Sequence, residues 1–347
     1  MKAWRDPGVH AALGAAVLFG VATPAAKLLL ADAPPWLLAG LLYLGSGIGL
    51  FLWRRIRRRP AGHIPRGERL WLAGAVVCGG IAAPVLLLYG LAAMPASGAS
   101  LLLNAEGVFT ALIAWFVFRE NFDRRIALGM LAIVAGAAVL AWPGNADFGS
   151  VLPALAVLGA CLAWGVDNNL TRRVSLSDAT YIAMVKGLAA GATNTLLAFI
   201  AGASLPGVGT VAAALSLGFV SYGLSLALFV VALRHLGTAR TGAYFSTAPF
   251  AGAALSILFL GESPGWQFAC AAVLMAIGVW LHLTERHAHR HAHQAVEHTH
   301  EHVHDAHHRH EHGVEIAAGT RHAHRHVHEA MTHSHPHFPD AHHRHEH

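Results

Sequence analysis

One carboxylate stands in the middle of an apolar run: Glu106, in Asn104-Ala105-Glu106-Gly107, with Thr110 one helical turn further on. An ionised carboxylate in a lipid interior costs roughly 3 kcal/mol or more, so such a group is paired, protonated or hydrated. That chemistry suits a substrate contact or a proton-coupling group lining a cavity, with Asn104 and Thr110 on its side of the helix. The alternative is a neutral carboxyl that locks helices together. Lys186, about a third of the way into another apolar run, offers an anion-binding ammonium or a partner for Glu106. Equally, its stem can lie along apolar surface while the head reaches the interface. Asp167, Asn168 and Asn169 close a third run, either as the polar mouth of a cavity or as an interfacial helix end. Tyr222, Tyr244, Ser246 and Thr247 offer hydroxyls to a substrate or to neighbouring helices. No Ser/His/Asp arrangement, GxxxxGK[ST] or HExxH is found, so no catalytic set and no ATP site follow. The expectation is a protein that is not an enzyme and needs no cofactor, driven by gradients if it moves anything.

A second chemistry lies at the C-terminus. Of 27 histidines, 23 fall between His287 and the end of the chain. They run as His287, His289, His291, His293 and again as His298, His300, His302, His304, interleaved with Arg, Glu, Ala and Thr. Imidazole is a good ligand for Zn, Ni, Co and Cu, and several on one flexible strand can gather round an ion. Nothing specifies a single tetrahedral site, so diffuse binding of several divalent ions is expected, weakening below about pH 6.5 as imidazoles protonate. The composition cannot build a packed core, which predicts disorder from residue 285 to 347. Three readings stay open: a collector feeding a metal exporter, a buffer or sensor beside other transport, and a tolerated repeat with incidental affinity.

These groups need elements to hold them. The chain has 347 residues, 55% hydrophobic and only 12% charged, about half the charge of an ordinary soluble domain. Ten runs of spanning length can be marked: 10–30, 36–54, 70–90, 97–118, 124–142, 150–168, 179–201, 209–233, 238–260 and 266–284. Breaks fall at Pro34-Pro35, Pro95, Pro143-Gly144, Pro206-Gly207 and Pro264-Gly265. With a cytoplasmic N-terminus, sixteen Lys and Arg lie in inside connections and none in outside ones. That bias predicts a multi-pass inner-membrane protein with both termini cytoplasmic. It also explains the basic balance without nucleic acid; the expected partners are lipid, a small-molecule substrate and metal ions. Cys78, Cys161 and Cys270 all sit inside apolar runs, so no disulfide framework follows. Gly45/Gly49, Gly187/Gly191 and the Ala12/Ala16/Gly20 ladder have the spacing of close helix packing.

The chain also repeats. A shift of 142 lays Leu91 on Leu233, Ala111 on Ala253, Glu120 on Glu262, Ala127 on Ala269 and Gly136 on Gly278, and a shift of 145 lays Phe19-Gly20 on Trp164-Gly165. Five spans per half is an odd number, so the halves enter the membrane in opposite directions, as in alternating-access carriers. On Phe19-Gly20, Trp164-Gly165, Gly261-Glu262 and its degenerate copy Arg119-Glu120, the chain resembles the drug/metabolite transporter superfamily, in the form with two tandem EamA-type domains. The resemblance covers about residues 10–284 and implies five-helix repeats at 10–142 and 150–284. Arg119 stands where the second half has Gly261, and the tail lies outside the family pattern. The implied fold is an all-α integral membrane bundle of ten helices in two inverted repeats. The implied function is export of a small organic metabolite or drug-like solute. A divalent-metal exporter fed by the tail and a membrane-tethered metal buffer without transport are the alternatives. The substrate or coupling residues expected are Glu106, Lys186, Asn104, Asp167, Asn168 and Tyr244; Glu120 and Glu262 read as helix caps or locks, and Lys27 as an interfacial anchor.

Overall fold

The structure, a computed structural model, describes residues 7–60, 62–118, 124–142, 151–284, 288–293, 296–302, 322–328 and 331–336. Its first 285 residues and its tail form two separate units. Ten helical rods make up the first: α1 Pro7–Leu29, α2 Pro35–Ile56, α3 Arg66–Ala92, α4 Ala96–Phe116, α5 Arg124–Ala141, α6 Val151–Val174, α7 Ala179–Ile200, α8 Val208–Gly237, α9 Arg240–Leu260 and α10 Trp266–Leu283. Eight are long and apolar enough to cross a membrane, and α5 and α10 carry shorter apolar stretches, Ala127–Leu140 and Trp266–Leu281. Proline opens α2, where a missing N–H costs nothing; Pro84 follows directly on the π-segment of α3 and Pro249 on the break in α9. Gly237 and Gly261 stop α8 and α9 in the left-handed region, with φ of 74° and 66°, a conformation that strains any residue with a Cβ.

The repeat seen in sequence is a repeat of packing. An added Cβ on Gly136 would press on the Ala271 carbonyl and Met275, and one on Gly278 on the Gly129 carbonyl and Ile133. Each of those pairs is related by 142, so α5 and α10 meet across a seam that maps onto itself. The first helix of each half packs into the other half. Gly20 of α1 lies against Ala251 and Gly252 of α9, while Gly165 of α6 lies against Phe109 and Thr110 of α4. The Phe-Gly and Trp-Gly motifs thus mark two equivalent close approaches, where only a hydrogen in place of a side chain lets the backbones meet. The central seam joins α2 to α7: Gly187 faces Gly47, and Gly191 faces Leu44. Gly45 and Gly49 instead receive Leu215 and Phe219 of α8. Ala12 and Ala16 are fully covered, as the small-residue ladder predicts.

Two irregularities also recur, the first at a shift of 142 and the second at 143. Residues Val76–Ala82 of α3 and Gly218–Leu224 of α8 are π-helical. Helix α4 breaks at Leu103-Asn104, and α9 at Ser246-Thr247. π-segments loosen the i→i−4 ladder and free carbonyls for side chains, and here both lie beside the cavity described below.

In the tail, where composition predicts disorder, the described residues form four strands: β1 Ala288–His293, β2 Val296–His302, β3 His322–His328 and β4 Met331–Pro336. β1 pairs with β4 and β2 with β3, both antiparallel. Alternation of His with another residue has the two-residue period of a strand, which the disorder argument from mean polarity does not see.

Candidate functional site

The break in α4 places Glu106 in the first turn of the helix Ala105–Phe116, where unsatisfied N–H groups favour a carboxylate. The α4–α6 approach through Gly165 brings Asn168 and Asn169 against that turn. Asn168 Nδ2 donates to Glu106 Oε1 at 2.9 Å and to Thr110 Oγ1 at 3.1 Å. Asn169 Nδ2 bonds the carbonyls of Thr110 and Gly165 at 3.0 and 2.9 Å, locking the two helices together. Glu106 therefore faces inward with one amide donor on one of its oxygens.

Lys186 has a different partner from the one the sequence suggests. Its ammonium bonds both oxygens of Asp167, at 2.5 and 2.7 Å, and Thr171 Oγ1 at 3.0 Å. Thr171 in turn donates to Asp167 at 2.8 Å. Lys186 is 1% exposed, so it does not reach an interface. It neutralises Asp167 across the α6–α7 contact and leaves Glu106 as the uncompensated charge. Asp167 and its neighbours are not a helix end either: α6 runs on to Val174, and all three residues are buried. Gly79, in the π-segment of α3, admits this carboxylate, since an added Cβ would land on it.

Around these groups the helices frame a partly open cavity of about 60 Å³, lined by Glu106, Asp167, Asn168, Ser221, Ser225, Leu226 and six rings: Phe19, Tyr43, Trp164, Tyr222, Phe229 and Phe245. That is room for a few waters, well short of the roughly 300 Å³ or more of a drug-sized pocket. The rings form one chain of contacts. Phe19 meets Trp164 edge-on at 6.0 Å, Tyr222 at 5.7 Å and Phe245 at 5.3 Å, while Tyr43–Tyr222 is 5.4 Å and Phe229–Phe245 4.9 Å. The carbonyl of Gly79, released by the π-segment, accepts from Tyr43 OH at 2.6 Å and Trp164 Nε1 at 3.0 Å, which fixes both rings. Ser221, at the corresponding place in α8, is fully buried and its Oγ has no partner. A larger groove of about 440 Å³ lies between α2 and α8, but Ile48, Leu52, Ile56 and Phe219 line it and no charged group does, so it carries no comparable chemistry.

Glu106, Asp167, Asn168 and Lys186 are thus brought together. Asn104 is close in sequence but turned away, donating to the Leu101 carbonyl at 3.0 Å. Tyr244 packs in an apolar cluster with Val9, Ala12 and Leu236, and its neighbour Phe245 faces the cavity instead. Ser246 and Thr247 bond carbonyls of their own helix, Gly242 and Tyr244. Ser221, Tyr43, Phe229 and Phe245 went unnoticed or unassigned in sequence. Only the repeat hinted at one of them, since Ser221 is the 142-shifted mate of Gly79.

The two ends of the bundle are held differently. At one end Lys27 Nζ caps α3, bonding the carbonyls of Leu91, Ala92 and Met94 at 2.7, 3.3 and 3.0 Å. Beside it Glu262 caps α4, accepting from the N–H groups of Ala96 and Ser97 at 2.7 and 2.9 Å. At the arginine-rich end Arg54 pairs with Asp178 at 2.7 Å and bonds Thr180 and the Pro60 carbonyl. Arg234 holds the carbonyls of Ser175 and Ser177 at 2.9 and 2.6 Å. Burial alone would raise the pKa of Asp178, but hydrogen bonds from Arg54, Thr180 and the Tyr181 N–H, with the Arg54 charge, hold it down to about 2. Arg119 and Glu120 lie outside the described residues, as do His287 and His304. Of the remaining tail histidines expected to bind metal, only the backbone is described. Among the described residues no group of three or more His, Cys, Asp or Glu is placed to hold a metal ion.

The profile of the EamA-like transporter family matches twice, over residues 6–142 and 151–284. An uncharacterized transporter of Methanothermobacter thermautotrophicus (strain Delta H) is 28% identical over 295 residues, covering 79% of this chain and 85% of the relative. A protein of known crystal structure superposes with a TM-score of 0.65 at 19% identity, over 80% of this chain and 96% of its own. At that identity the likeness is one of fold.

Proposed function

The chain belongs to the EamA-like transporter family, and from that premise we propose that it is a secondary carrier that exports a small organic solute by alternating access. Glu106 is the group that substrate and proton share in turn. The observation that carries this reading is the aromatic-lined cavity in which Glu106 carries no ion-pair partner, Asp167 being neutralised by Lys186. A carboxylate so placed changes its affinity for protons whenever a solute enters or water leaves, which is the linkage a coupled carrier needs. The cavity is too small for a solute as it stands, so loading requires the surrounding helices to part. The π-segments of α3 and α8 border it and are the parts of those helices with the weakest internal ladder. The charge bias of the connections supports an inner-membrane setting with both termini cytoplasmic.

A second proposal concerns the tail. Its backbone register sets His289 opposite His335, His291 opposite His333, His298 opposite His326, His300 opposite His324 and His302 opposite His322. Such pairs suit loose binding of divalent transition metals.

The test is mass spectrometry of small organic solutes and of Ni, Co, Zn and Cu in cells. The cells carry the full chain, Glu106→Gln, a form stopped after Thr284, or none. We expect one organic solute to fall with the full chain and with the tail-less form, and to stay high with Glu106→Gln. A full-rate Glu106→Gln protein would remove that residue from the mechanism. A metal that falls only when body and tail are both intact would replace the organic solute by a metal as cargo.

A further inference from the structure

We infer that the solute is a monovalent organic cation with a flat apolar body, and that the cavity disfavours anions and zwitterions; this rests on the carrier reading above. Two features of the cavity point to that class, and a third, Ser221, admits one hydrogen-bonding group on the solute. The first is its charge. Lys186 is fully buried, with its three donors directed at Asp167 Oδ1, Asp167 Oδ2 and Thr171 Oγ1. No donor of that ammonium remains for a substrate carboxylate or phosphate. Glu106 keeps a single amide donor, from Asn168, so when it is ionised it presents one negative charge to a ligand.

The second feature is the wall. Six aromatic rings line the cavity, linked through centroid distances of 4.9 to 6.0 Å. Ring faces attract an ammonium or similar cation, and Trp, here Trp164, does so best. An anion gains nothing from such faces, and a zwitterion would bury its carboxylate beside Glu106 without a cation to meet it. The third feature is Ser221. Its hydroxyl is fully buried, lines the cavity and has no hydrogen-bond partner. An unpartnered buried hydroxyl is costly, and a ligand bearing one polar group on an otherwise apolar body would satisfy it. Charge selects the cation, the rings select a flat apolar body, and Ser221 adds one hydrogen bond.

The experiment is isothermal titration calorimetry on the full chain in lipid nanodiscs at pH 8.5. Four probes share one ring: phenyltrimethylammonium, phenylalanine, benzoate and benzyl alcohol. We expect phenyltrimethylammonium to bind at least tenfold more tightly than the other three. Glu106→Gln should weaken it at least tenfold, Glu106→Asp should restore most of the affinity, and Trp164→Leu should weaken it several-fold. At pH 6 its binding should release protons, read as a dependence of the heat on buffer ionisation, and Glu106→Gln should abolish that release. Recovery by Glu106→Asp separates loss of charge from loss of fold. Equal or tighter binding of phenylalanine, benzoate or benzyl alcohol would overturn the substrate class, as would binding of none of the four. If one of those other probes binds and needs Glu106, the carrier reading survives without its cation. If Glu106→Gln transports at full rate in cells, Glu106 leaves the mechanism, and a cation selected by its charge falls with it while the chain remains a carrier.

Discussion

Lys186 and Asp167 give the sharpest energetic test. Their side chains are 2% and 7% exposed, and the ammonium touches both carboxylate oxygens. Removing one partner of a buried pair strands the other's charge and costs about 3–5 kcal/mol, whereas removing both charges together is often close to neutral. Lys186→Met should therefore destabilise by about 3 kcal/mol or more. Asp167→Asn should cost somewhat less, because Thr171 remains to accept a hydrogen bond from Lys186. The double variant should lie within about 1 kcal/mol of the parent, leaving a coupling of at least about 2 kcal/mol. The assay is reversible unfolding of the four proteins in mixed dodecylmaltoside and dodecylsulfate micelles, followed by circular dichroism. Additive losses in the double variant would refute the pairing. So would a Lys186→Met protein as stable as the parent, which would mean that the ammonium lies elsewhere and that Glu106 is not the only uncompensated charge.

Other outcomes follow from single contacts. Gly79→Ala should abolish transport and lower thermal stability, because its methyl would fall on the Asp167 carboxylate; Gly67→Ala, with nothing within 4 Å, should change neither. Glu262→Ala should destabilise by about 1–2 kcal/mol through the uncapped N–H groups of Ala96 and Ser97, measured by the same unfolding assay, with Glu262→Gln intermediate. Asp178 has a folded pKa of about 2 against an ordinary 3.8. Its contribution is thus complete above about pH 5 and fades as the pH falls from about 4 to 2. Asp178→Asn should flatten the acid limb of a stability–pH curve in that window and leave the neutral limb lower but parallel. An unchanged acid limb would show that Arg54 does not stabilise the ionised form.

The close approaches of the bundle were legible before any coordinates. Spacing of small residues pointed to Gly45, Gly49, Gly187, Gly191 and Gly20, and each is found where a neighbouring helix comes close. Phe19-Gly20 and Trp164-Gly165 stood out as repeat and family motifs, and the structure adds that both glycines admit a helix of the other half. Glu106 was legible for a different reason: an isolated carboxylate in twenty apolar residues has few physical excuses. Asn168 was marked, but for the wrong place, since the apolar run ends at 168 while the hydrogen-bonded helix continues to Val174. Hydropathy reports the greasy part of a helix, not the helix. Arg54 was read only as part of a charge bias, yet it is 6% exposed and anchors the connection before α7. Positive-inside counting treats every arginine alike, so it cannot single out an arginine with a carboxylate waiting.

By itself the sequence determined the number of helices, their breaks and the inverted repeat, because apolarity, proline chemistry and charge are local properties that add along a chain. What only the tertiary structure decided was which polar groups meet. Lys186 lies 19 positions from Asp167 and 80 from Glu106, and either carboxylate would have satisfied it; the rotation of α7 against α6 made the choice. The six rings come from five helices, Phe19 from α1, Tyr43 from α2, Trp164 from α6, Tyr222 and Phe229 from α8 and Phe245 from α9. No spacing along the chain encodes that cage. It exists because each first helix crosses into the opposite half, and crossing is a property of packed surfaces rather than of any one segment.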